Sequence, residues 1–101
     1  MRVIVFFDLP SVTDADKRAY RDFRKSLIRA GFMMIQESVY TKLALNSTSV
    51  QIIASEIRAI KPEKGFVLLL TVTEKQFSRM EIISGENACD VVNSDERLIV
   101  L

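Results

Sequence analysis

The alternation of apolar and polar positions divides the chain into short, sharply bounded segments. Val3 to Phe7 is an unbroken apolar run, the pattern of a strand buried on both faces in the middle of a sheet. Asp8-Leu9-Pro10 closes it, because proline has no N–H to give to a ladder. Thr13-Asp14-Ala15-Asp16 then reads as a helix start. Thr13 can cap the first turn, and the two aspartates lie where the helix dipole favours negative charge. Beyond them Tyr20, Phe23, Leu27 and Ala30 recur every three or four residues as an apolar stripe of helical period, and Gly31 is placed as the C-terminal stop.

Phe32 to Leu43 is too long, and too β-branched at its far end, for one helix; it predicts two strands turning near Glu37. Asn46-Ser47-Thr48-Ser49 is a cluster of cap and turn formers. A second helix follows with Val50, Ile53, Ala54, Ile57 and Ile60 on its buried face, and Pro62 ends it. Glu63-Lys64-Gly65 turns the chain into a further strand, Phe66 to Thr73. Glu74 to Arg79 reads as a polar turn or single helical turn, Met80 to Ile83 as a short strand, and Gly85-Glu86-Asn87 as a loop. Arg97 to Leu101 closes the chain as a strand.

Strand, helix, strand, strand, helix, strand is the split βαβ order of a ferredoxin-like α+β fold: a four-stranded antiparallel sheet with helices on one face, plus strand structure at the C-terminus. Residues 1–101 form one domain on this reading. An unpaired Leu-Ile-Val-Leu terminus would invite aggregation, so residues 95–101 are expected to pair, either within their own sheet or along a partner subunit's sheet edge.

Composition narrows the class. Of 101 residues, 49% are hydrophobic and 27% charged, ample for a core. No apolar run approaches the ~18 residues of a membrane span. The apolar stretch after Met1-Arg2 is too short for a signal-peptide core. A lone cysteine, Cys89, cannot form an internal disulfide, which fits a reducing compartment, the cytoplasm. The formal net charge of +1 is uninformative, but its distribution is not: residues 1–50 carry eight basic and five acidic groups, residues 51–101 six and eight. Lys17, Arg18, Arg21, Arg24, Lys25 and Arg29 crowd into thirteen positions of the first helix, off its apolar stripe. Charges at helical spacing commonly mark only a solvated face, and Asp14, Asp16 and Asp22 offset part of this one. Six cations exceed what solubility requires, however, and suit the regular phosphates of a duplex, read without regard to sequence. Lys17, Arg18, Arg21, Arg24 and Lys25 are the candidate nucleic-acid contacts, with Arg79 and Arg97 behind them. Exposed strands lack the aromatic–basic interleaving of a base-stacking platform.

The absence of histidine removes imidazole acid–base chemistry and Ser-His or Cys-His nucleophile pairs. Cys89 has acidic neighbours, Glu86 and Asp90, which disfavour a thiolate. No glycine-rich phosphate loop and no zinc ligand set appears. Metal chemistry on oxygen ligands survives, since Mg²⁺ needs only one or two carboxylates and keeps several waters. Asp8, at the end of the first strand, is the candidate; an aspartate before Leu-Pro is equally an ordinary strand-end residue.

The ordered set Asp8-Leu9-Pro10, Phe23-Arg24-Lys25, Gly31-Phe32, Gln36-Glu37-Ser38-Val39-Tyr40, Leu69-Leu70-Thr71-Val72-Thr73-Glu74-Lys75-Gln76-Phe77 and Asp95-Glu96-Arg97-Leu98-Ile99-Val100-Leu101 resembles the CRISPR-associated protein 2 family, in the version found in type II loci. The likeness runs over essentially the whole chain. It implies a ferredoxin-like homodimer that sits between two dimers of the CRISPR integrase, and that captures short DNA duplexes for insertion as spacers. It also implies Mg²⁺-dependent endonuclease activity, with Asp8 as metal ligand and catalytic residue. Across a twofold axis one ion could be shared by Asp8 of both subunits. Two other readings compete: a stand-alone metal-dependent ribonuclease of toxin type on the same fold, and a regulatory ferredoxin-like domain that binds a small metabolite.

Overall fold

The uninterrupted apolar run at the N-terminus becomes the centre of the sheet. The computed structural model describes residues 1–85. Cys89, Arg97, most of the loop expected at Gly85-Glu86-Asn87 and the strand expected within 95–101 lie outside the described residues. In chain order the elements are β1 (Arg2–Asp8), α1 (Asp14–Arg29), β2 (Met33–Gln36), β3 (Val39–Leu43), α2 (Ser47–Ile60), β4 (Phe66–Val72) and α3 (Glu74–Ser78). The strands form one antiparallel sheet in the order β2-β3-β1-β4, with Val5 opposite Tyr40 on one side and Leu69 on the other. This is the ferredoxin-like α+β arrangement.

Because strand side chains alternate, β1 feeds two clusters. Val3, Val5 and Phe7 point to the helices and pack with Phe23 and Leu27 of α1, Tyr40 of β3 and Val50, Ile53 and Ile57 of α2. Ile4 points to the opposite face, where it meets Ile35 and Phe77, with Phe6, Val39, Val72, Met80 and Ile82 around them. Thr41 is the buried polar residue, and its hydroxyl donates to the Val3 carbonyl at 2.9 Å.

Both ends of α1 follow local rules. Asp16 N–H donates to Thr13 Oγ1 at 3.0 Å, and Thr13 N–H donates to Asp16 Oδ2 at 3.2 Å, a reciprocal capping box. At the far end Phe32 N–H donates to the Leu27 carbonyl and Gly31 N–H to that of Ile28, the Schellman pattern, with Gly31 at φ 97°. Lys42 reaches over from β3 to donate to the Ala30 carbonyl at 2.6 Å. Asn46 caps α2 by accepting from Ser49 N–H at 2.9 Å, and Pro62 lies two residues beyond its end.

The Thr13 N–H, aided by Lys64 and opposed by partial burial, holds the Asp16 carboxyl below the usual carboxylate range. A carboxyl lowered in the folded state stabilises fully above the ordinary value near ~3.9 and ceases to do so as pH falls through its folded value. Thr13→Ala should cost about 1 kcal/mol at neutral pH. Asp16→Asn should also destabilise there, with its deficit from wild type shrinking as pH falls through the lowered folded-state value. Urea unfolding at neutral and at progressively acidic pH checks both.

One expectation needs correction. Met80 to Ile83 is not a strand: the chain leaves α3 through local bonds, Arg79 N–H to the Gln76 carbonyl and Met80 N–H to that of Phe77. It then runs irregularly against the Ile4–Ile35–Phe77 cluster instead of joining a ladder. The two long helices share one face of the sheet, as expected, and the short α3 brings Phe77 to the other. Among the described residues no helix is long and apolar enough to cross a membrane.

Candidate nucleic-acid interface and strand-end carboxylate

At 100° per residue, the six cations of α1 fall within an arc of about 140°, centred away from Phe23 and Leu27. Lys17, Arg18, Arg21, Lys25 and Arg29 are exposed, and none is ion-paired among the described residues. The aspartates of the helix do not neutralise them: Asp16 is occupied in the cap and lies 3.9 Å from Lys64. Arg24 differs from its neighbours. It lies at the margin of the arc nearest the sheet, and its Nε donates to the Tyr40 hydroxyl at 2.8 Å. Tyr40 in turn stacks on Phe7 at 5.7 Å, and Phe7 meets Phe23 edge-on at 5.0 Å. Arg24 is thus anchored to the core as well as facing the cationic side, so its replacement would disturb packing as well as charge.

Asp8 is the last residue of β1 and is exposed. Its carboxylate makes no hydrogen bond or ion pair with the described residues. Beside it lies a hollow of about 180 Å³ lined by Phe6, Ser38, Val39, Phe66 and Leu68. The strand end is held from two sides. Ser38, in the β2–β3 turn at φ 68°, accepts a hydrogen bond from Phe7 N–H at 3.0 Å through its carbonyl. Gly65, in the α2–β4 loop, lies against the Asp8 carbonyl. No group of three potential metal-ligating residues occurs among the described residues. One free, exposed carboxylate fits Mg²⁺ that keeps most of its waters, and does not by itself form a cage. The structure brings Asp8 near Ser38, not near the α1 cations as a single pocket.

Sequence reasoning did not single out Ser38, Gly65 or Arg2. Arg2 donates twice to Glu74, at 2.7 and 3.0 Å, and its guanidinium lies 4.4 Å from the centre of the Phe77 ring. These contacts clamp α3 onto the sheet. The Thr73-x-x-Gln76 capping box was the legible signal for α3; nothing local pointed to Arg2, seventy-two residues away from its partner. On β4, Phe66, Leu68 and Leu70 project from the face that carries Ile4, beyond the reach of α3. They are 71%, 62% and 49% exposed.

The molecule is therefore a ferredoxin-like protein that shows, among the described residues, a cationic helix face, a strand-end carboxylate without a partner and an apolar sheet edge. It belongs to the CRISPR-associated Cas2 family, whose model, CRISPR associated protein Cas2, matches residues 1–80. The chain is 54% identical over 101 residues to a CRISPR-associated endoribonuclease Cas2 of Treponema denticola, with both chains covered completely. It is 46% identical to one of Streptococcus mutans, spanning all of this chain and 93% of that one. The crystal structure of Streptococcus pyogenes Cas2 at pH 6.5 superposes with a TM-score of 0.62 over 83% of this chain and all of the other, at 19% identity, and so supports the fold.

Proposed function

We propose that this Cas2 family member is the dimeric, DNA-binding scaffold of CRISPR spacer acquisition, joining two integrase dimers around a short duplex in the cytoplasm. The observation that carries the reading is the arc of exposed cations on α1, which make no ion pair among the described residues. Lys17, Arg18, Arg21 and Lys25 can meet phosphates directly, and Arg24 presents its remaining N–H groups from an anchored position. Such a face binds a duplex without base readout, which is what a protein that captures arbitrary fragments needs. A twofold axis duplicates the face and lengthens its footprint. The exposed Phe66–Leu68–Leu70 stripe supports a second copy as its cover, because the stripe is contiguous with the Asp8 end of β1 and would bring the two single carboxylates toward one another.

A second reading is favoured by the free Asp8 carboxylate and by the endoribonuclease names of the relatives: a Mg²⁺-dependent phosphodiesterase activity. Asp8 would hold the ion, and a bound Mg²⁺ supplies Lewis-acid stabilisation of phosphoryl oxygens and an acidified water. The α1 cations would hold the nucleic-acid backbone.

Integration of a short duplex into a CRISPR repeat, with the integrase encoded alongside, separates the two. Asp8→Ala is expected to integrate at the wild-type rate while losing any Mg²⁺-dependent cleavage of RNA. A variant that dimerises and binds duplex normally but fails to integrate would make the metal part of the acquisition mechanism. No integration with wild type would remove the scaffold reading.

A further inference from the structure

The peptide that follows Asp8 is closed upon by a loop whose approach only glycine permits. Gly65 immediately precedes Phe66, the cross-strand partner of Asp8, and has φ 90°. A Cβ at this position would fall 2.5 Å from the Asp8 carbonyl oxygen, 2.8 Å from Leu9 Cδ2 and 3.0 Å from Leu9 Cα. Two of these three atoms belong to the backbone and cannot swing aside as a side-chain tip does. At Gly31, by contrast, a Cβ would meet only the flexible end of Lys42, at 3.3 Å. Gly31 thus answers to its helix stop, whereas Gly65 answers to the strand end that carries the carboxylate.

We propose that Gly65 is a positioning residue for Asp8: the missing side chain lets the α2–β4 loop seat against the Asp8–Leu9 peptide and so sets where the Asp8 carboxylate points. This rests on the reading of Asp8 as a divalent-cation ligand. On the other side, the Ser38 carbonyl ties Phe7 N–H at 3.0 Å, so the strand end is pinned between two loops. To relieve a 2.5 Å contact to an ordinary C···O separation of about 3.3 Å, the two backbones must part by about 0.8 Å. Functional groups tolerate displacements of only about 0.5 Å before ligand geometry is lost. The relief moves the peptide plane of Asp8 directly, and the carboxylate with it.

The test titrates Mn²⁺ alone into full-length wild type, Asp8→Asn, Gly65→Ala and the double variant, following free Mn²⁺ by electron paramagnetic resonance. Backbone amide shifts of Asp8 and Leu9 are recorded in parallel, and duplex affinity serves as a fold-dependent control on α1. Gly65→Ala is expected to weaken Mn²⁺ binding roughly 10- to 100-fold, the range for residues that orient a ligand. It should displace the Asp8 and Leu9 amide shifts, leave duplex affinity unchanged, and add nothing in the Asp8→Asn background. Wild-type Mn²⁺ affinity in Gly65→Ala overturns the proposal, as does an equal further loss in the double variant. Equal binding by wild type and Asp8→Asn would instead discard Asp8 as the ligand, whatever Gly65 does. Where Gly65→Ala does not fold, the pair Gly65→Ala, Leu9→Ala clears the Leu9 Cδ2 contact while keeping the one on the Asp8 carbonyl, and carries the same expectation. Failure of both to fold assigns Gly65 to the fold alone and overturns the proposal.

Discussion

Replacing Arg18, Arg21 and Lys25 together by alanine is expected to lower the affinity for duplex DNA by two to three orders of magnitude, at about 0.1 M salt, for each face of the proposed dimer that meets the duplex. Each phosphate neutralised by a cation releases condensed counterions, so log K falls with log[salt] with a slope of about −0.9 per contact. Losing three contacts per protomer should make the slope shallower by about 2.7 for each face of the dimer that meets the duplex, about 5.4 where both do, a signature that folding defects do not produce. The three residues lie close together on the cationic arc, are exposed, and make no ion pair with the described residues, so their removal leaves the core intact. Fluorescence anisotropy of a labelled duplex over a salt series measures affinity and slope together. An unchanged slope would reduce the α1 face to solvated charge. Arg24→Ala belongs in a separate experiment, since it also strips the Tyr40 hydroxyl of its 2.8 Å donor and so mixes packing with charge.

If the proposed dimer forms through this stripe, Leu68→Lys is expected to convert it to a folded monomer. Leu68 is the centre of the Phe66–Leu68–Leu70 stripe, so a twofold contact there places it in the interface twice. Covering a large apolar side chain is worth about 1.5–3 kcal/mol, and an unpaired ammonium in its place adds a desolvation cost in each protomer. The combined loss corresponds to at least about a thousandfold in dissociation constant. Light scattering after size exclusion at micromolar concentration should report twice 11.5 kDa for wild type and 11.5 kDa for the variant. Circular dichroism should show both folded, because Leu68 is 62% exposed in the single chain. A monomeric wild type would mean that the stripe is covered in another way, for instance by residues 95–101 of the same chain. A dimeric variant would put the interface elsewhere.

Elements decided by nearest neighbours were readable along the chain. Thr13 and Asp16 are three residues apart, and their capping box is a local event; so is the Gly31 stop, where the left-handed conformation is intrinsic to one residue. The stripes Tyr20–Phe23–Leu27 and Val50–Ile53–Ile57 carry the helical period in plain view, and both helices turn these residues to the core. The cationic face followed from the same geometry, because residues off the apolar stripe of a surface helix have only solvent or a partner to face.

Elements decided by distant neighbours were not readable. Phe66 to Leu70 has the same unbroken apolar character as Val3 to Phe7, and among the described residues only the sheet order makes one central and the other an edge. Met80 to Ile83 has strand-like composition, but Met80 and Ile82 pack on the Ile4–Ile35–Phe77 cluster without joining a ladder.

What the sequence alone determined, then, was the succession of elements, the ferredoxin-like order, the placing of Asp8 at a strand end and the gathering of cations on one helix. Periodicity and capping act within a few residues, so they are written in consecutive letters. Among the described residues, the tertiary structure decided which apolar residues are left exposed, that Arg24 is tethered while Arg21 makes no ion pair, that Arg2 holds α3 across the sheet, and that Gly65 lies against the carbonyl of Asp8. These depend on contacts between residues far apart in the chain, whose partners are fixed only when strands pair and the α2–β4 loop comes to rest.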